Sequence, residues 1–146
     1  MDYEDYNDRR AIVAIQKAAA LALGLNVANL RFEPLQIIRY VQGQQFDLHH
    51  DAGKLEEDHP MRVDDSNERK QNRVRLYTLF LYLQSPVSGG ATRFPLLNLD
   101  VQPRENVAAM WSNYEPNGRP EVRVIHQGMP VTEGEKYGMN IWIGIK

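Results

Sequence analysis

The sequence holds no cysteine. Disulfides, thiolate zinc sites and cysteine nucleophiles are therefore excluded, although the absence does not fix a redox compartment. Basic residues are not in excess either: 17 lysines and arginines face 19 aspartates and glutamates, for a formal net charge of −2. Such a balance speaks against a general nucleic-acid role. No apolar run is long enough to span a membrane. The opening "MDYEDYNDRR" is polar and acidic and lacks the hydrophobic segment of a secretory signal. The expectation is a chain without signal peptide or transmembrane segment, cytoplasmic if complete, that binds neither membrane nor nucleic acid. What remains is an ordinary globular composition, 42% hydrophobic and 25% charged. At 146 residues it has room for one domain with one sizeable core.

The first element reads as a helix over about residues 9–23. "AIVAIQKAAALALGL" is rich in good helix formers, and Ile12, Ile15, Ala19 and Leu23 recur at helical spacing. Asp8 is the expected N-cap and Gly24 the expected residue past the C-terminus. A stripe rich in alanine is a packing surface, so this helix should cover the outer face of a sheet. After Asn29 the texture changes. "PLQIIRYV", "QFDLHHD", "VRLYTLFLYL", "NVAAMW", "EVRVIHQ" and "KYGMNIWIGI" read as strands, separated by Gly, Pro and Asn clusters. Many short strands divided by turns suggest an all-β sandwich or barrel. "VRLYTLFLYL" is apolar on both faces and should be a central strand. Residues 53–73, "GKLEEDHPMRVDDSNERKQNR", are almost wholly polar and read as a long loop, either a solvated insertion or an active-site lid.

Chemistry concentrates in "FDLHHDAG", residues 46–53. On a strand, His49 and Asp51 share a face and His50 points away. Two ligands hold a metal poorly, and His126 in "VRVIHQG" is the candidate third, since His59 lies in the polar loop. Two imidazoles and a carboxylate suit iron(II) with open positions on one face. Zinc hydrolases use similar ligands, so the set alone leaves the chemistry open. The last strand adds a second signal. In "KYGMNIWIGI", Tyr137, Met139, Ile141, Ile143 and Ile145 form an apolar face. Lys136, Gly138, Asn140, Trp142 and Gly144 form the other. A solvated edge strand would show this alternation too. A cation, an amide and an indole spaced by glycines also suit a pocket for an anion, because a buried lysine needs a partner.

Three stretches together resemble a known family. "YVQGQQFDLHHD" is similar to Y-x-x-G-Q-x-Y-x-x-H-x-D. "RLYTLFLYLQSPVSGGATRFP" is similar to a strand followed by G-G-x-T-x-F-P. "HQGMPVTEGEKYGMNIWI" is similar to H-x-G-x-P-V-x-x-G-x-K-W-x-x-N-x-W-I. Their order and spacing are those of the prolyl 4-hydroxylase-like iron(II)- and 2-oxoglutarate-dependent dioxygenases. The resemblance runs from about residue 35 to residue 145. It implies a mainly β chain, a double-stranded β-helix or jelly roll with an N-terminal supporting helix. The single domain would divide into helical support (1–30), jelly-roll core (34–146) and a lid-like loop (53–73). It maps His49, Asp51 and His126 onto the iron ligands, with His50 in a variable position. Lys136 maps onto the partner of the distal carboxylate of 2-oxoglutarate. Tyr40, Thr92 and Trp142 map onto the walls of the cosubstrate pocket. Arg75 maps onto a catalytic-site position near a peptide substrate. The implied cofactors are Fe(II), 2-oxoglutarate as cosubstrate and O2, with ascorbate as a reductant.

Three departures bear on the substrate. Phe46 stands where the family usually has Tyr, Tyr137 where Trp is common, and Gly144 where some members carry a larger polar residue. The expected activity is hydroxylation of a C–H bond, with prolyl residues of a peptide or protein as the leading substrate. The alternatives are the same chemistry on another peptide residue or a free amino acid, a metal enzyme that does not use 2-oxoglutarate, and a catalytically silent jelly-roll binding domain. Lys136 and an intact ligand set argue against the last two.

Overall fold

Helix α1 spans Tyr3–Ala22. Its backbone ladder continues upstream of Asp8, so Asp8 is not its N-cap; no glycine or proline interrupts residues 3–8. The C-terminus is as expected. Gly24 adopts φ +67°, its N–H donates to Leu21 O, and the Leu25 N–H donates to Ala20 O. That is a Schellman closure, which needs the left-handed backbone that glycine supplies without strain. The computed structural model describes residues 3–146, and side chains from residue 8 onward apart from Pro60. Met1 and Asp2, the start of the expected helical support, lie outside the described residues.

The rest is mainly β. Strands β1 (Leu30–Phe32), β2 (Gln36–Tyr40) and β3 (Phe46–His49) come first. The polar stretch then folds into a hairpin, β4 (Lys54–Glu56) with β5 (His59–Asp64), and a short helix α2 (Ser66–Lys70). The strands β6 (Tyr77–Gln84), β7 (Ser88–Gly89), β8 (Thr92–Phe94), β9 (Leu99–Val101) and β10 (Val107–Ser112) follow. Last come β11 (His126–Gly128), β12 (Val131–Glu133) and β13 (Lys136–Ile145). All pairings are antiparallel. A larger sheet runs β1–β13–β6–β10, with β2 also on β13; a smaller one runs β3–β11–β8–β9. This is the jelly-roll class, with two sheets facing each other across a pocket.

The period of two decides which residues meet. On β13 the apolar face turns outward to α1: Met139, Ile141 and Ile143 pack with Leu79, Leu30, Ala19 and Ala20. The two alanines let the helix backbone approach the sheet closely. Ile15 and Leu23 complete the helix contact, whereas Ile12, expected on the stripe, is 40% exposed. β6 lies between β13 and β10, so both its edges are paired and both its faces covered, as a two-faced apolar strand requires. Ile143 is fully buried; its loss to alanine would cost about 3 kcal/mol from a site that cannot collapse.

Two expected elements differ. Residues 53–73 are not one irregular loop, because alternation around Leu55 and Val63 gives a strand pair that a count of charges hides. "EVRVIHQ" does not form one strand: Val122–Val124 is a single 3-10 turn, opened by Glu121, whose side chain accepts from the Arg123 N–H. Among the described residues no helix is long and apolar enough to cross a membrane.

Candidate functional site

His49 closes β3 and sits directly opposite His126, which opens β11. The chain leaves the strand at that point. His50 bridges to Gly53, and Asp51 and Ala52 form the turn between them. Asp51 thus reaches the histidines from a turn and not by strand alternation. Donor atoms of His49, Asp51 and His126 lie within 4.8 Å of one another. The His49 Nδ1–H donates to Asp47 O (2.7 Å), and the His126 Nδ1–H to Val124 O (2.8 Å). A carbonyl can only accept, so both Nδ1 atoms carry a proton, which leaves Nε2 as the atom each ring can offer a metal. The 3-10 turn at Val122–Val124 is what aims that carbonyl at His126. Burial lowers the His126 pKa to about 4, which keeps the ring neutral at pH 7.

The carboxylate is oriented in the same way. Thr78 Oγ1–H donates to Asp51 Oδ2 (2.7 Å), and Asn113 Nδ2 donates in turn to Thr78 Oγ1 (2.9 Å). Thr78 and Asn113 are fully buried. Asp51 Oδ1 stays open toward His49 Nε2, 3.6 Å away. Trp111 and Phe94 pack on the His126 ring, and Phe46 meets His49 edge-on. Two imidazole Nε2 atoms and one carboxylate oxygen, converging from a braced and partly dry wall, fit a divalent iron.

His50, expected to point away from the ligands, is not one of the cluster. It is buried and fully used: Nε2–H donates to Glu121 O (3.0 Å), and Nδ1 accepts from the Ala52 N–H (3.0 Å). No lone pair remains for a metal, and the ring braces the turn that carries Asp51. Burial pushes its pKa down.

The same cavity, about 210 Å³, is lined by His49, Asp51 and His126 and by Tyr40, Thr92, Lys136, Asn140 and Trp142. β13 turns Lys136, Asn140 and Trp142 inward on alternate residues. Gly138 between them leaves room for the Phe80 ring, which a Cβ there would overlap. Lys136 is 2% exposed, and its ammonium donates to Gly90 O (2.8 Å) beside Tyr40, Phe80 and Tyr82. No carboxylate among the described residues pairs with it. Burial lowers its pKa to about 8. A desolvated cation without a counter-ion, at the end of a cavity that begins at the three donors, fits one carboxylate of a dianionic ligand. Thr92 is held by Tyr82, whose hydroxyl lies 2.8 Å away.

Arg75 also borders the cavity. It is bound bidentately by Glu33, both contacts at 2.8 Å, and lies 3.6 Å over the Trp142 ring. Tyr40, His49, Asp51, Arg75, Thr92, His126, Lys136 and Trp142, the site residues expected from the sequence, therefore line one cavity, whereas Tyr137 and Gly144 do not. Sequence reasoning missed Thr78, Asn113, Phe80, Tyr82 and Glu33. Period two along "YTLFLYL" separates Thr78, Phe80 and Tyr82 from the leucines and could have found three of them; nothing local marks Asn113 or Glu33.

Comparison with known proteins agrees with this arrangement. Residues 35–144 match the profile of the 2OG-Fe(II) oxygenase superfamily. The chain is 31% identical to human prolyl 4-hydroxylase subunit alpha-3 over 96% of its own length and 24% of that protein's. It is 30% identical to Arabidopsis thaliana prolyl 4-hydroxylase 13 over 97% of the chain and 53% of the relative. It thus spans between about a quarter and half of these relatives. Among solved structures, viral collagen prolyl hydroxylase from Paramecium Bursaria Chlorella virus-1, in complex with 2OG, matches with TM-score 0.70. That match has 29% identity and covers 90% of this chain and 72% of that one.

Proposed function

The chain belongs to the 2OG-Fe(II) oxygenase superfamily, and from that premise we propose that it is an Fe(II)- and 2-oxoglutarate-dependent dioxygenase that hydroxylates prolyl residues of a peptide or protein. The observation that carries this reading is Lys136, a buried ammonium with no carboxylate among the described residues, in one cavity with the His49–Asp51–His126 cluster. A hydrolase would need the metal site but would leave that cation unexplained.

In this reading His49 Nε2, Asp51 Oδ1 and His126 Nε2 hold the iron. Lys136 holds the distal carboxylate of 2-oxoglutarate, and Tyr40, Thr92 and Trp142 line its path. When bound, iron(II) with 2-oxoglutarate and O2 supplies the oxidation that converts a C–H bond to an alcohol, with succinate and CO2 as the other products. The chain's own contribution is orientation and exclusion. Asp47 O and Val124 O fix the imidazole tautomers, Thr78 fixes the carboxylate, and Phe80, Trp111 and Phe94 keep water from the far walls. The collagen and prolyl hydroxylase relatives support a proline-containing substrate. Succinate release with Fe(II), 2-oxoglutarate and ascorbate, measured against proline-containing peptides and free amino acids, tests the reading. Release stimulated by proline peptides is expected; release stimulated by none of them would count against it.

A further inference from the structure

The chain after β10 closes on itself. The Glu121 N–H donates to Asn113 O (2.9 Å), and Tyr114 bridges to Pro120. The Glu115 N–H donates to Arg119 O (2.8 Å), and the Gly118 N–H to Glu115 O (2.9 Å). Residues 113–121 therefore form a small cross-linked hairpin, with its base at Asn113 and Glu121 and its tip at Gly118. The base serves the metal cluster. Asn113 reaches Asp51 through Thr78, and Glu121 O accepts from His50, which braces the turn that carries Asp51. The Val122–Val124 turn follows directly, and Val124 O holds His126.

The same hairpin also holds the polar segment that carries the lid. Tyr114 is buried and donates its hydroxyl to Asp65 Oδ2 (2.8 Å), directly before α2. Burial pushes the Tyr114 hydroxyl pKa up, so it remains a donor at neutral pH. Arg69 Nε donates to the same Asp65 oxygen (2.7 Å), and its Nη2 donates to Gly118 O (2.7 Å). β5 lies beside the Val122–Val124 turn. Tyr114 lines neither of the two cavities that Asp51 borders. It can act on the metal site only through the hairpin.

We propose that Tyr114 is a positioning residue that couples docking of residues 54–70 to the seating of Asp51, so that lid docking and Fe(II) binding reinforce each other. This rests on His49, Asp51 and His126 being the iron site. A bound ion fixes Asp51, and through Thr78 and Asn113 it fixes the hairpin. The fixed hairpin then presents Tyr114 and Gly118 to Asp65 and Arg69 in place. Coupling of two binding events is reciprocal by thermodynamic necessity. A peptide that holds the lid down should therefore tighten Fe(II) by the factor with which Fe(II) tightens the lid. The metal is retained while substrate is in place. A hydrogen bond to a charged acceptor is large enough to carry a coupling of about tenfold.

The test follows amide hydrogen exchange in residues 54–70 of the whole chain, anaerobically, with and without saturating Fe(II) as the sole addition. In the wild type, Fe(II) should slow that exchange about tenfold. Tyr114→Phe should cut the slowing to about twofold or less, and should weaken Fe(II) by up to about tenfold in a metal titration. Asp65→Asn keeps an acceptor for the Tyr114 hydroxyl and should retain most of the coupling. Arg69→Gln, at an exposed position, should lose part of it, and carries the same comparison if Tyr114→Phe does not fold. A Tyr114 that merely stabilised the segment would speed exchange equally with and without Fe(II). That unchanged ratio, in a folded Tyr114→Phe or Arg69→Gln protein, would overturn the inference. Wild-type exchange that Fe(II) leaves unaltered would overturn it without any variant. These results leave the proposed function standing. Protein that binds no Fe(II), or whose Asp51→Ala variant binds it as tightly, would overturn that reading, and this inference with it.

Discussion

Replacing Lys136 by Met should weaken 2-oxoglutarate and strengthen the fold in the same protein. The ammonium is 2% exposed, and burial moves its pKa from 10.5 to about 8. That displacement corresponds to roughly 3 kcal/mol against the charged form in the folded state. The folded pKa lies below the unfolded one, so the folded state binds fewer protons. Stability is therefore lowest below pH 8, where both states are protonated, and is recovered as pH rises from about 8 to 10.5. Met keeps most of the volume, removes the charge and loses the bond to Gly90 O, worth about 1 kcal/mol. The net gain at pH 7 is about 2 kcal/mol, or roughly 5 °C in Tm for a chain of this size. The ligand loses its counter-ion, which by the precedent of broken buried pairs costs about 3–5 kcal/mol, or 10²-fold or more in Kd. In the wild type, affinity should be flat below pH 8 and fall about tenfold per unit above it, as the ammonium deprotonates. Lys136→Arg, charged throughout, should lose that fall although its fork fits less well. The assay is an anaerobic Fe(II) titration with 2-oxoglutarate, read by the metal-to-ligand charge-transfer band, beside thermal melts without ligand. Unchanged affinity in a folded Lys136→Met protein would refute the assignment, and a lower Tm would refute the desolvation argument.

Three further outcomes are expected. Alanine at His49, Asp51 or His126 should abolish Fe(II) binding and turnover. His50→Ala should instead lose roughly 2 kcal/mol of stability, since it orphans Glu121 O and the Ala52 N–H, and should regain activity at high Fe(II). Loss of binding in His50→Ala that no iron concentration restores would make His50 a ligand. Thr78→Val, which unties Asp51 Oδ2, should weaken Fe(II) about 10–100-fold with the fold intact, measured by metal titration. In limited proteolysis, the tip of the β4–β5 hairpin should be cut first and protected by substrate. Helix α2 should resist, because Asp65 and Arg69 tie it to Tyr114 and Gly118. Equal protection of both halves without substrate would argue against a hairpin lid.

The site was more legible in the sequence than the path of the chain through it. β13 was readable because one face is entirely apolar and the other is not, and the structure turns those faces to α1 and to the cavity. Gly24 was readable because a helix end that needs left-handed backbone selects glycine. His49 and Asp51 were paired correctly for a reason that holds only in part. Parity places His49, but a turn braced by His50 places Asp51. The hairpin within residues 53–73 was hidden because the short alternation around Leu55 and Val63 is swamped by charges, and α2 because it is held by the tie of Asp65 to Tyr114 and not by an apolar face. Val122–Val124 looked like a strand because β-branched residues also fill a short 3-10 turn when Glu121 caps it. Glu33, Thr78 and Asn113 act across sequence separations of 27 to 42 residues, which no local pattern records.

The most direct measurement of the central claim is the fate of the two atoms of O2. Protein loaded with Fe(II), 2-oxoglutarate and ascorbate is mixed with a proline-containing peptide under isotopically labelled oxygen, and succinate and peptide are read by mass spectrometry. The expected result is one labelled atom in succinate and its partner in a hydroxyl on the prolyl ring, in equal amounts, with both signals lost in Asp51→Ala. Labelled succinate without labelled peptide would contradict the prolyl substrate. Neither product, from protein shown to bind Fe(II) and 2-oxoglutarate, would contradict dioxygenase chemistry at the His49–Asp51–His126 site.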